Sequence, residues 1–172
     1  MRLYTTLFAL MFFELITSQN TLFIGNKTYK STPIWTFYTD GSPYDNYPKV
    51  SVAKGNKGGL FVLTLSTPME DFRIGGQLLI YLQDNTVIKC IDKGIRDRAN
   101  NKETKIYNLT LTEIDKMASS KIISIRFNIL NFSTSEGYIA DNKYQATISE
   151  QLSRVTKEYY DTELDISELF NN

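Results

Sequence analysis

Apolar and polar residues alternate with period two along much of the chain, which predicts a β-rich fold. The sharpest case is residues 123–129, where Ile123, Ile125, Phe127 and Ile129 alternate with Ser124, Arg126 and Asn128. Phe61, Leu63 and Leu65 share one face of residues 60–66, and Trp35 and Phe37 share one face of 34–38, where the sheet region is expected to begin. Lys49 to Lys54 reads as a partly exposed strand, turned into 60–66 by Gly55-Asn-Lys-Gly-Gly59. Leu78 to Leu82 is apolar on both faces, as a central strand covered twice would be. Gln83-Asp-Asn-Thr86 turns it back into Val87–Ile91, closing a hairpin. Residues 106–111 alternate again, with Tyr107, Leu109 and Leu111 on one face.

Two places change period. Thr112 is expected to cap a short helical turn, its hydroxyl accepting from the Asp115 amide. Ile148, Leu152, Val155 and Tyr159 then recur at helical spacing, with a break near Asp161-Thr162 before a second short apolar set, Leu164, Ile166, Leu169 and Phe170. The fold class that follows is mainly β: an antiparallel β-sandwich or curled sheet of about six or seven strands with a C-terminal amphipathic helix over about 144–170.

The N-terminus adds a destination. Arg2, the apolar run Leu7–Phe13 and small residues Thr17-Ser18 before Gln19 match an export signal over 1–18. The run is too short to span a bilayer as a helix. Residues 19–172 then form one β-rich domain that is exported, soluble in a periplasm or the medium, and not inserted in a membrane. A chain of 172 residues with 42% apolar and 13% aromatic content can bury one core.

Composition excludes more than it reveals. Nineteen basic residues balance nineteen acidic ones without a basic stripe in the sequence, so nucleic acid is not an expected partner. There is no histidine, which removes Ser-His-Asp and Cys-His catalysis, the common zinc and copper sites, and histidine acid–base chemistry. Cys90 is the sole cysteine, so no intramolecular disulfide forms, and its neighbours Val87, Ile88 and Ile91 mark it as a core residue. No cofactor and no metal site are expected.

Candidate chemistry therefore rests on carboxylates and aromatics. Asp92, Asp97 and Asn100 could offer oxygen ligands to calcium, but their order does not match a calcium loop and basic residues interrupt it. Residues 92–103 read instead as a solvated loop. Asp84, Asp92 and Asp97 follow strand ends and would supply a pair if the protein were a glycosidase-like hydrolase. Tyr44 and Tyr47, on the Pro-flanked loop 40–48, could present rings to a sugar or peptide.

The runs Ile80-Tyr-Leu-Gln-Asp-Asn, Ile88-Lys-Cys-Ile-Asp-Lys-Gly, Ile106-Tyr-Asn-Leu-Thr-Leu-Thr-Glu-Ile and Ile122-Ile-Ser-Ile-Arg-Phe resemble small exported proteins of the Bacteroidetes group that have no assigned function. The likeness covers about residues 75–130 and implies a fold and a destination, but no active site. The expected function is a non-catalytic exported β-domain that binds a protein or a glycan, with Tyr44, Tyr47, Asp92 and Asp97 as candidate contacts. A carboxylate-dependent hydrolase and a structural or assembly module are the alternatives. The last of these calls for an exposed apolar patch or an unpaired edge strand.

Overall fold

The alternating segments pair into two antiparallel sheets in the computed structural model, which describes residues 20–39, 47–67, 71–131, 134–142 and 159–171. The first sheet contains β1 (Asn20–Ile24), β2 (Lys27–Ser31), β3 (Trp35–Thr36), β4 (Lys49–Gly55), β5 (Gly58–Ser66), β8 (Arg96–Ala99) and β9 (Lys102–Leu109). Its order is β1-β2-β4-β5-β9-β8, with β3 also on β4. The second contains β6 (Arg73–Leu82), β7 (Val87–Cys90), β10 (Ile122–Asn131) and β11 (Thr134–Asp141), in the order β11-β10-β6-β7. Helices α1 (Leu111–Ser119) and α2 (Thr162–Asn171) complete the described elements. The architecture is mainly β and sandwich-like, with a curled first sheet and a C-terminal helix.

The core lies between the sheets. Phe61, Leu63 and Leu65 of β5 and Trp35, Phe37, Val50 and Val52 meet Ile74, Leu78, Ile80 and Leu82 of β6 and Ile125, Phe127 and Ile129 of β10. Cys90 joins this core, where burial pushes its thiol up to about 12. The hairpin expected around residues 83–86 is present, with Leu78 opposite Cys90 and Tyr81 opposite Val87. Strand β6 is central in its sheet, although its second face is only half covered at Leu79 and Tyr81.

Several local readings are corrected. A hairpin, β1–β2, precedes residues 34–38. Residues 96–103, within the segment read as a solvated loop, form the β8–β9 hairpin, turned by Asn100 and Asn101 at positive φ. Ile123 does not share the core face: a register shift between Ile122 and Ser124 turns Ile122 inward and leaves Ile123 46% exposed. Leu111 is 61% exposed because the strand ends at Leu109 and the helix has begun.

Thr110, rather than Thr112, caps α1. Its hydroxyl accepts from the Glu113 amide, and the Glu113 carboxylate accepts from the Thr110 amide at 2.7 Å. The spacing Thr110-x-x-Glu113 closes a reciprocal capping box, which an acidic residue three places after Thr112 does not achieve here. Ile114 and Met117 then face the core.

Helix α2 matches the second short apolar set, while the helical pattern over 148–158 lies outside the described residues, as do the export signal and Tyr44. Polar bonds moor α2. Trp35 Nε1 donates to Asp165 Oδ2 at 2.8 Å, and the Thr162 hydroxyl accepts from the Ile122 amide at 2.9 Å. The fully buried Asn142 amide donates to the carbonyls of Ile122 and Tyr160 and accepts from the Tyr160 amide. Among the described residues, no helix is long and apolar enough to cross a membrane.

Candidate functional site

Two clefts lie at opposite ends of the first sheet. The larger, about 780 Å³, opens where β2 and β4 part company. These strands pair only at Ser31 and Ala53, so the rest of β2 swings away from the tip of the β4–β5 hairpin. Lys27 and Lys30 come from β2, Lys54 from β4 and Lys57 from the turn after it. Tyr29, Asn56 and Asn108 add an aromatic ring and two amides, and no carboxylate is among the described lining residues. Lys54 is anchored on α2, its ammonium 3.4 Å from the Phe170 carbonyl and 5.9 Å from that ring's centre. The wall is rigid at Gly58, where a Cβ would stand 2.2 Å from the Leu109 carbonyl oxygen and only glycine fits. The charges are interspersed in sequence, and strand pairing gathers four of the cations into one place.

The smaller cleft, about 240 Å³, sits at the other end of β9, four to five strand residues away or about 15 Å. It is lined by Arg73 of β6, by Arg96, Asp97 and Arg98 of β8, and by Glu103 of β9. Cross-strand pairs fix the geometry: Arg96 opposes Lys105 and Arg98 opposes Glu103, so all four share the inner face with Leu63 and Leu65. Arg98 donates to the Phe72 carbonyl at 3.0 Å. Glu103 is 2% exposed, and its Oε1 lacks a hydrogen-bond partner. Burial raises its carboxyl above the ordinary glutamate value, against the opposing pull of Arg96, Arg98, Lys105 and Arg73.

Beside it, Lys105 pairs with Asp92 at 2.6 Å. Partial burial pushes Asp92 up, but the Lys105 ammonium and the amides of Gly94 and Gly76 outweigh it and hold the carboxyl below its usual value. Gly76 takes a φ of +71° at the β6 irregularity opposite Arg126 and Asn128, and its carbonyl accepts from the Tyr107 hydroxyl at 3.3 Å. Burial, with Asp92 and Cys90 nearby, pushes that hydroxyl's pKa upward.

The residues singled out from sequence are therefore dispersed. Asp84 closes the β6–β7 turn, accepting from the Thr86 amide, at the opposite end of β7 from Asp92. Its carboxyl is lowered, chiefly by that bond. Asp97 pairs with Thr104, whose hydroxyl meets Thr64, so the strand pleat directs it to the outer face and the rim of the small cleft. Tyr47 stacks on Tyr38 with ring centres 5.9 Å apart. Among the described residues, no three acidic or thiol side chains converge as a metal site. Glu103 and the four lysines were missed. Counting back by twos from Tyr107 through Lys105 would have put Glu103 on the inner face, whereas the lysine group depends on tertiary pairing.

No family model, curated protein or solved structure matches the chain.

Proposed function

We propose that the protein is a non-catalytic binding domain that works outside the cytoplasm and holds an anionic glycan in the cleft between β2 and the β4–β5 turn. The observation that carries this reading is four lysines around a cleft of about 780 Å³ with no carboxylate among its described lining residues, in a chain of zero net charge. Lysine ammoniums neutralise sulfate or carboxylate groups along a polymer, and Tyr29, Asn56 and Asn108 suit the sugar rings and hydroxyls between them. The described lining of this cleft supplies no carboxylate pair of the kind glycoside hydrolysis uses. Asp84 and Asp92 stand at opposite ends of β7, each held by local bonds, so these two do not supply a hydrolytic pair.

The test is binding of the full chain to a sulfated polysaccharide over a series of salt concentrations. Affinity should fall steeply with salt, and the double change Lys27→Glu and Lys57→Glu should weaken it at least about tenfold. Salt-independent binding, or a double variant that binds as well as the parent, would reject the reading. Preference for polyglutamate over the polysaccharide would replace the glycan with an acidic protein.

The assembly alternative has one observation in its favour. Among the described strands β1 is the outer edge of its sheet; it carries Thr-Leu-Phe-Ile without a charge and leaves Phe23 74% exposed. Self-association that Phe23→Lys abolishes would support it; a monomer at high concentration would refute it.

A further inference from the structure

We infer that the small cleft at the β8–β9 end is a second binding site, for a small oxyanion of the carboxylate or sulfate class, held by Arg73 and Arg96 over Glu103 and taken up together with a proton on Glu103. The inference is independent of the lysine cleft, which lies at the other end of the sheet.

The arrangement is unusual for a structural ion cluster. Three guanidiniums line the cleft, yet the buried Glu103 has no ion-pair partner among the described residues, and neither has Arg73 or Arg96. Arg98 is already engaged with the Phe72 carbonyl, so it shapes the wall. Arg73 and Arg96 are exposed and approach from different sheets, leaving their donor forks available to a bound anion. The groups facing Glu103 are Arg73 from β6, Arg96 and Arg98 from β8, and Lys105 from its own strand, the last tied to Asp92; Leu65 opposes it from β5. Asp97 stands at the rim.

An ionised Glu103 repels an anion above it, while a protonated Glu103 presents a neutral floor with a hydroxyl donor. Burial already favours the protonated form. Binding and protonation therefore assist one another: one anion enters and one proton comes from solvent, with no bond to the ligand made or broken. By linkage, affinity weakens as pH rises past the value at which the free protein's Glu103 ionises, approaching tenfold per pH unit.

Inorganic sulfate and glucuronate are suitable probes, since neither titrates between about pH 5 and 8. Titration by calorimetry or NMR across that range should give a dissociation constant that rises with pH for both, or for only one of them, which then names the class. Glu103→Gln supplies a neutral floor and an amide donor, so it should bind at high pH as the parent does at low pH, with the pH dependence gone. Arg96→Gln, on an exposed edge strand, should lose at least about tenfold in affinity while melting as the parent does. The lysine-cleft double variant should bind these small anions unchanged. A pH-independent constant in the parent, no binding of either probe, or a Glu103→Gln variant that keeps the parent's pH profile would each overturn the site. None of these results bears on polysaccharide binding at the lysine cleft.

Discussion

Replacing Asp92 with Asn should be among the most costly polar changes in this protein. The Lys105 side chain is 4% exposed and Asp92 25%, with 2.6 Å between them. Removing one partner of a fully buried ion pair costs about 3–5 kcal/mol, because the other charge is left without compensation. Asp92 keeps a quarter of its exposure, so water offsets part of this and about 2–3 kcal/mol is expected. At this chain length that lowers Tm by about 5–10 °C. The assay is thermal melting by circular dichroism near neutral pH, alongside Lys105→Met. That control removes the buried charge, leaves Asp92 its amide bonds, and should cost less than about 1 kcal/mol. The pH dependence has a definite sign. The Asp92 carboxyl is depressed in the folded state, so its stabilisation is present above the unfolded value of 3.8 and is lost as pH falls through the lower folded one. Asp92→Asn should therefore flatten the acid limb below about pH 4. A variant within about 0.5 kcal/mol of the parent, or a Lys105→Met variant that falls as far, would refute the reasoning.

Glu103 should act with the opposite sign: its raised value disfavours the folded state as pH rises above the unfolded value of 4.5, so Glu103→Gln should melt higher than the parent at neutral pH and no differently in acid. Thr110→Ala should cost about 1 kcal/mol in chemical denaturation while Thr112→Ala stays within about 0.5, since only Thr110 closes the capping box. Asn142→Ala should cost about 3 kcal/mol by the same assay, because it strands two carbonyls and an amide that moor the approach to α2. Cys90, buried and with its thiol pushed up to about 12, should resist a thiol-specific reagent in the native protein and react at once in denaturant.

What could be read from sequence was whatever depends on a residue and its near neighbours. Period-two alternation located β4, β5 and the β6–β7 hairpin, because each buries one face and its turn residues sit between matched strands. It misplaced Ile123, since a register shift exchanges faces without leaving a mark in the alternation. It passed over β8, where Arg-Asp-Arg is an edge strand whose charges mimic a loop. Thr112 carries a capping hydroxyl too, but the return bond from Glu113 makes Thr110 the cap. The candidate sites were less legible. Asp92 is a partner of buried Lys105, and although period two places Lys105 inward, nothing local to its strand says that its partner is Asp92. Lys27 and Lys57 meet only because β2 splays from β4, which is a property of the assembled sheet.

The central claim, that the lysine cleft is the binding surface, is tested most directly by mapping amide shifts of the full chain as a sulfated oligosaccharide is added. Perturbations concentrated at Lys27–Lys30, Lys54–Leu60 and Asn108-Leu109, and erased by Lys27→Glu with Lys57→Glu, are the expected result. Shifts confined to other surfaces, or no shifts at all at low salt, would contradict it.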